Sequence, residues 1–316
     1  MDTQISIENQ GIKYSLKNRL VNLGRDIAKH KTSYLFLAPY ALIFITFTVL
    51  PVLISMFLSF THYNMLESPS WIGWQNYLKL FLADDVFLIA VKNTFVFAAI
   101  TGPVGYLACL FFAWMVNEFK PKIRAFFTLL FYAPSISGNA FLVWQIIFDA
   151  DQYGYLNGLL MSLGIIDDPV LWLLDPRFIL PICILVTLWM SLGTSFLVFI
   201  AGLQNIDPKL YEAGAIDGVR NRWQELWYIT LPSMKPQLMF GAIMSITSSF
   251  AASAQIIPLA GFPSVDYAAR TVVSHLLDYG SIRFEMGYAC AIATVLFLAM
   301  IIMQKVVQRL LSKVGE

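Results

Sequence analysis

Charged residues are scarce in this chain of 316 residues. They make up 13% of the sequence, whereas apolar residues make up 58%. A soluble domain usually carries about a quarter charged residues and is about half apolar. The composition therefore excludes an ordinary soluble globular protein and predicts an integral membrane protein, which we expect to be all-α.

A phosphate-binding loop is also missing. The pattern GxxxxGK[ST] does not occur, and no Gly is followed by Lys anywhere in the chain. Without that nest of backbone N–H groups and its Lys, a protein cannot hold ATP in the P-loop manner. If ATP drives this protein, another polypeptide hydrolyses it. We therefore expect no cofactor bound by this chain, with ATP and Mg²⁺ held by a partner.

Cysteine and histidine are rare and dispersed. Cys109, Cys183 and Cys290 each lie within an apolar run, and the three histidines are far apart in the sequence. Isolated buried thiols are usually packing residues, so we expect neither a disulfide nor a metal site. The hydrolase patterns HExxH and GxSxG are absent as well. We therefore expect that this chain has no catalytic residues and is not an enzyme.

Six uncharged runs are long enough to cross a bilayer at about 20 residues per span. They are Tyr34–Phe60, Asn93–Val116, Ala125–Phe148, Phe178–Leu203, Pro236–Pro258 and Met286–Gln304. None of them contains Lys, Arg, Asp, Glu or His. Ion-coupled carriers normally keep an ionisable group within the membrane, so this absence argues against a secondary carrier. It also indicates that neutral groups handle the transported molecule.

The distribution of positive charge predicts the orientation. The amino-terminal segment, the loop 117–124, the loop 204–235 and the carboxyl tail hold 16 of the 21 Lys and Arg residues. By the positive-inside rule, both termini and the 204–235 loop are cytoplasmic. Residues 1–33 form a basic segment before the membrane domain 34–316. Its apolar spacing fits a helix on an anionic membrane surface, and a disordered basic tail is the alternative.

The loop between spans four and five contains a compact helical pattern. Asp207 can cap a helix whose first position is Pro208, and Gly218 supplies the left-handed turn that ends it. A polar second helix begins near Arg220, and Leu231-Pro232 is expected to stop it. Loops between packed helices are usually a few residues long. The length indicates a docking helix for a cytoplasmic partner, and an ordered solvated loop is the alternative.

Glu212-Ala213-Gly214, then Gly218, then Ile229-Thr230-Leu231-Pro232 resembles the EAA loop of binding-protein-dependent ABC importer permeases. The family pattern is EAA-x3-G-x9-I-x-L-P. This chain departs from it twice. Gly214 replaces the second Ala, and the segment 219–228 between Gly218 and Ile229 has ten residues instead of nine. The second departure affects the register of the second helix.

Other stretches resemble the same family. LAPYALIFITFTVLPVLISMFLSF, WIGWQNYLKLF and Gly287-Tyr288-Ala289 are similar to sugar-importer permeases of the maltose/glycerol-phosphate type, specifically the first of the two permease subunits. The resemblance implies a type I importer permease with six spans in a bacterial-type cytoplasmic membrane. It also implies a second homologous permease in a heterodimer, two cytoplasmic ATP-binding subunits, an extracytoplasmic substrate-binding protein and a saccharide substrate. Nothing indicates nucleic acid.

The sequence offers two groups of candidate functional residues. The resemblance implies that the ATPase subunit docks on Tyr211, Glu212, Ala213, Gly214, Asp217, Gly218, Leu231 and Pro232. The polar residues within spans three and five supply the candidates for a translocation path, because buried amides need partners in a bilayer. They are Asn139, Gln145, Ser249, Ser253 and Gln255. Helix packing is the alternative role for the serines.

Three other functions are compatible with parts of this pattern. The same machinery could export, or it could import a phosphodiester or a peptide instead of a sugar. A stand-alone ion-coupled carrier is the alternative from a different class.

Overall fold

The computed structural model describes residues 29–251 and 255–312, and most of them are helical. The chain divides into two units between Phe57 and Leu58. Most of the predicted basic segment 1–33, namely residues 1–28, lies outside the described residues. In the first unit, α1 (Lys31–Phe44) continues through a π-helical turn (Ile45–Val49) into α2 (Leu50–Leu58), as the predicted first span requires.

The second unit begins with a small hairpin. Strand β1 (Thr61–His62) pairs antiparallel with β2 (Ser70–Trp71), with Thr61 opposite Trp71. A short helix α3 (Gln75–Leu82) follows, and then α4 (Asp85–Asn117), which has 33 residues. Asp84 caps α4 by accepting a hydrogen bond from the Phe87 N–H at 2.9 Å. The hairpin is a small exception to the predicted all-α class.

The remaining elements are all helical. In chain order they are α5 (Pro121–Ile136), α6 (Leu142–Ile147), α7 (Tyr155–Ser162), α8 (Pro176–Met190), α9 (Thr194–Gln204), α10 (Pro208–Ile216), α11 (Arg222–Glu225), a π-helical turn (Leu226–Thr230), α12 (Leu231–Ser233), α13 (Lys235–Phe250), α14 (Ile256–Ala260), a 3-10 turn (Val265–Tyr267), α15 (Val272–Leu277), a π-helical turn (Asp278–Ile282) and α16 (Met286–Ser312).

Four helical stretches among the described residues are long and apolar enough to cross a membrane. They are Lys31–Leu58, Asp85–Asn117, Pro176–Gln204 and Met286–Leu311. The predicted span Ala125–Phe148 is instead divided into α5 and α6, because Ser137 is extended and Gly138 follows it. The predicted span Pro236–Pro258 corresponds to α13 and α14, with residues 252–254 outside the described part. The count of six spans stays a prediction.

Helix α4 lies at the centre of the second unit. It packs against α8, α9 and α13, and α13 packs in turn against α16. One apolar cluster surrounds Phe196, Phe199 and Met234, and a second surrounds Ile179 and Cys183. Cys109 and Cys183 are buried in these clusters, as predicted. This arrangement brings α4 close to both helices that flank the 204–235 loop.

Candidate functional site

The loop between α9 and α13 begins with the predicted helix. The Asp207 carboxylate accepts a hydrogen bond from the Lys209 N–H at 3.0 Å, and Pro208 occupies the first turn of α10. Asp217 follows the helix, and Gly218 has a φ of +94°. Glycine adopts this left-handed conformation without strain, so Gly218 allows the chain to reverse direction.

Two contacts hold α10 against the helical segment that follows. Gly214 is buried, and a Cβ at this position would lie 2.5 Å from Ile229 Cδ1. The Tyr211 hydroxyl lies 3.0 Å from Thr230 Oγ1. The small size of Gly214 therefore serves packing within the loop, whereas Glu212 and Ala213 are exposed. A partner can therefore reach Glu212 and Ala213, as well as Asp217 and Gly218, which are also exposed.

The segment after Gly218 has room for the extra residue. Asn221 caps α11 by accepting a hydrogen bond from the Gln224 N–H at 2.8 Å, and α11 runs directly into the π-helical turn Leu226–Thr230. A π-helical turn hydrogen-bonds to the fifth residue and so holds one residue more than an α-helical turn. Ile229 and Thr230 consequently contact α10 although ten residues separate Gly218 from Ile229.

The predicted stop at Leu231-Pro232 lies one residue before the observed end of the second helical segment at Ser233. Both residues are half-buried and lie within α12, which continues to Ser233. Pro232 lies directly after the π-helical turn Leu226–Thr230, at the start of α12. The chain then enters α13 at Lys235 with no intervening loop.

A polar cavity of about 190 Å³ lies among α4, α8, α9 and α13. Ser249 and Gln255, two of the predicted path residues, belong to its wall. The wall contains no Lys, Arg, Asp, Glu or His among the described residues. Its members are Thr101, Gly105, Tyr106, Cys109, Thr187, Met190, Ser191, Gly193, Thr194, Ser195, Met244, Ser245, Ser248, Ser249 and Gln255.

The hydroxyl groups of this wall keep hydrogen-bonding capacity. Ser195 donates to the Gly241 carbonyl at 3.3 Å, and Ser245 donates to the Gly102 carbonyl at 2.8 Å. Thr187 Oγ1 is buried and has no hydrogen-bond partner within the described part of the chain. Each hydroxyl can donate once and accept twice. The wall is therefore suited to a polar, uncharged ligand.

The other predicted path residues do not lie on this wall. Asn139 is exposed in the short link between α5 and α6. The Gln145 amide donates a hydrogen bond to the Pro258 carbonyl, which ties α6 to α14. Ser253 lies outside the described residues. The roles of these three residues in a path stay predictions.

A buried ionic cluster at the Asp84 end of α4 was not predicted from the sequence. Asp84 Oδ2 accepts hydrogen bonds from the Tyr288 hydroxyl at 2.7 Å and from His275 Nε2 at 3.0 Å. Arg270 lies 3.3 Å from His275 Nδ1 and pairs with Asp278 at 2.5 Å. Arg270, His275 and Asp278 lie close together in an otherwise apolar stretch of the sequence. Their spacing was the only sequence signal for the cluster. Their partner Asp84 is 191 residues from His275.

The cluster fixes the protonation of His275. Arginine can only donate, so His275 Nδ1 accepts and its proton resides on Nε2. Burial lowers the pKa of His275, and the Arg270 charge adds to this effect against the opposing influence of Asp84. Burial raises the pKa of Asp84, but hydrogen bonds from Tyr288 and the Phe87 N–H outweigh it and leave that pKa lowered. A neutral imidazole therefore lies between a guanidinium and a carboxylate.

Comparisons with known proteins identify relatives of this chain. Residues 23–313 match the family described as "Binding-protein-dependent transport system inner membrane component". The probable ABC transporter permease protein YesP of Bacillus subtilis is 36% identical over 86% of this chain and 88% of its own. The lactose transport system permease protein LacF of Rhizobium radiobacter is 32% identical over 67% of this chain and 70% of its own.

Two solved structures share the fold. One is a bacterial ABC transporter involved in the import of the acidic polysaccharide alginate, with a TM-score of 0.73 and 25% identity over 92% of this chain and 100% of that chain. The other is an alginate ABC transporter in complex with an alginate pentasaccharide-bound periplasmic protein, with a TM-score of 0.72 over 92% of this chain and 99% of that chain. This chain belongs to the family of binding-protein-dependent transport system inner membrane components, and it is a multi-pass membrane protein.

Proposed function

We propose that this chain is one of two permease subunits of an ATP-driven importer for a neutral oligosaccharide. The observation that carries the proposal is the uncharged, hydroxyl-lined cavity beside α9 and α13, the two helices that flank the Asp207–Pro232 loop. Amide and hydroxyl groups with nearby apolar faces suit hydroxyl-rich ligands. The lactose permease among its relatives supports this class of substrate.

The Asp207–Pro232 loop is the proposed docking site for a cytoplasmic ATPase subunit. Glu212 is exposed on α10 and can make a charge-assisted hydrogen bond to a basic group of the partner. Gly214 and Tyr211 pack α10 against the segment that contains Ile229 and Thr230. A displacement of α10 therefore displaces the whole loop. Because α9 and α13 continue from the loop into the cavity wall, movement of the loop alters the cavity. This arrangement supports alternating access driven by ATP on the partner subunits.

The second permease is proposed to complete the substrate site. The cavity of about 190 Å³ is smaller than the roughly 300–1,000 Å³ of ordinary ligand sites. A wall from a homologous permease would enlarge it to the size that an oligosaccharide needs. A substrate-binding protein would deliver the saccharide on the side opposite the Asp207–Pro232 loop, which we place in the cytoplasm by its positive charge.

The absence of charge on the described cavity wall supports a neutral saccharide over an anionic solute. An acidic saccharide or a phosphodiester would need a cation where this wall offers only neutral groups. The test of this point is uptake by cells that express the complete transporter. We expect accumulation of lactose, maltotriose or arabinotriose rather than trigalacturonate. Accumulation of trigalacturonate alone would refute the neutral class.

Affinity purification in mild detergent tests the assembly. Wild-type chain should bring down a P-loop ATPase and a second permease, and Glu212→Ala should lose the ATPase while keeping the second permease. Lys209→Gln is the matched control, because it removes an exposed charge on the same helix. Purification of a single polypeptide in every case would overturn the importer proposal and favour an ion-coupled carrier.

A further inference from the structure

The Asp207–Pro232 loop touches α4 as well as the two helices that it joins. Arg222 Nη2 lies 2.8 Å from Glu118 Oε2, immediately after the end of α4. The Trp114 ring on α4 lies 5.2 Å from the Trp223 ring on α11. These contacts join residues more than 100 positions apart in the sequence, so they are not a consequence of local chain geometry.

The contact has the features of a reversible link. The side chains of Arg222 and Glu118 are 62% and 42% exposed, and ion pairs of this kind contribute little to stability. An open hollow of about 320 Å³ adjoins the pair and leaves space for α11 to move. Arg222 also has a partner on its own helix, Glu225 at 2.8 Å, so its charge is not stranded when the link opens.

Helix α4 connects this contact to the cavity. Thr101, Gly105 and Cys109 recur at four-residue spacing on the face that lines the cavity. Glu118 lies about 13 Å beyond Cys109 along the same helix, at 1.5 Å per residue. Packing between α4 and its neighbours is close at the cavity, since a Cβ on Gly105 would lie 3.2 Å from Ser191 Cβ. Displacement of α4 therefore alters the shape of the cavity.

We propose that the Glu118–Arg222 ion pair, with the Trp114–Trp223 contact, is a switchable link through which the Asp207–Pro232 loop moves α4 in each transport cycle. Glu118 and Arg222 are positioning residues that act through α4 and touch neither substrate nor ATP. The inference rests on the proposed function. It adds a route from the loop to the cavity that does not run through α9 or α13.

The test uses the complete transporter in proteoliposomes, with its substrate-binding protein outside and ATP supplied to the ATPase subunits. The probe is a tritium-labelled mixture of lactose, maltotriose and arabinotriose, and the measured quantity is saccharide accumulated per ATP hydrolysed. We expect Glu118→Gln and Arg222→Gln each to lower this ratio about fivefold or more. The double variant should fall no further, because both substitutions break the same link.

Arg220→Gln is the matched control, since it removes an exposed positive charge of the same loop that is not part of the link, and its ratio should match wild type. The quantity of co-purifying ATPase and the thermal midpoint should be unchanged in all variants, which a merely structural role would not predict. Ratios near wild type for Glu118→Gln, or losses that multiply in the double variant, would overturn the link. Failure of the wild type itself to accumulate any saccharide, or to retain an ATPase, would instead overturn the proposed function.

Discussion

Gly287 lies where the first turn of α16 meets the backbone of the hairpin. Its N–H donates to the Tyr63 carbonyl at 3.0 Å, and a Cβ at this position would lie 2.1 Å from the Thr61 carbonyl oxygen. A backbone oxygen cannot rotate away as a side chain can. We expect Gly287→Ala to destabilise the protein by about 1–3 kcal/mol, as overpacking does.

Thermal unfolding of the detergent-solubilised protein measures this effect. Gly280→Ala is the matched control, because its Cβ would make only an ordinary contact of 3.4 Å with Ala289 Cβ. Equal midpoints for Gly287→Ala and Gly280→Ala would contradict the steric argument.

His275 predicts an acid sensitivity with a defined sign. Its pKa in the folded protein is lowered below the ordinary value of 6.5, so the unfolded chain takes up the proton first as the pH falls. Acid therefore favours unfolding, by up to about 1.4 kcal/mol per pH unit for one proton. Asp84 and Asp278 also face the His275 ring and have lowered pKa values. Their protonation destabilises the protein only below about pH 4.

Thermal midpoints between pH 7.5 and pH 5 measure the His275 effect. We expect the midpoint of wild type to fall with acidification and that of His275→Gln to fall less steeply. His62→Gln, which changes an exposed histidine of the hairpin, should retain the wild-type slope. A slope unchanged by His275→Gln would assign the acid sensitivity to other groups.

At the scale of elements, the π-helical turn Leu226–Thr230 is the feature that reconciles this chain with its family pattern. If the turn only absorbs one extra residue, deletion of exposed Trp227 should leave an α-helix that still places Ile229 on Gly214 and Thr230 on Tyr211. We expect that variant to retain ATPase co-purification and uptake within about twofold, since no register change results.

Insertion of one Ala after Tyr228 is the opposite change. An added residue rotates everything after it by about 100° relative to α10 and separates Ile229 from Gly214. This insertion should abolish uptake and reduce ATPase co-purification. The π-helical turn would have another role if the Trp227 deletion lost uptake and ATPase co-purification while the Ala insertion retained them.

Local signals and distant contacts differ in how far the sequence could predict them. Asp207, Pro208 and Gly218 act on their immediate neighbours, and the start and end of α10 were predicted correctly. The pairing of Asp84 with His275 depends on how α4 and α15 pack, which no short pattern encodes. The only sequence signal for the π-helical turn was the extra residue between Gly218 and Ile229. That count shows that one residue is extra, but not how the helix accommodates it.

At the scale of the whole second unit, α4 joins three regions that are distant in the sequence. Its Asp84 end meets the buried ionic cluster, its middle lines the polar cavity, and its Glu118 end meets the Asp207–Pro232 loop. A helix of 33 residues extends about 50 Å, enough to cross a bilayer and reach beyond it. We therefore expect Asp84 and Glu118 to lie outside the hydrocarbon, whereas the described wall of the cavity between them carries no charge.

The two predicted glutamines have different positions: Gln255 lies on the cavity wall, and Gln145 ties two helices together outside it. Gln255 is half-buried on the cavity wall, so Gln255→Leu should raise the KM for saccharide uptake about fivefold to tenfold by removing hydrogen bonds to the ligand. Gln145 instead bonds the Pro258 carbonyl, so Gln145→Leu should lower the thermal midpoint and leave the KM near wild type. Both variants should retain the ATPase, because neither residue lies on the Asp207–Pro232 loop. An unchanged KM in Gln255→Leu, or a raised KM in Gln145→Leu, would place the substrate path outside the cavity that α4 lines.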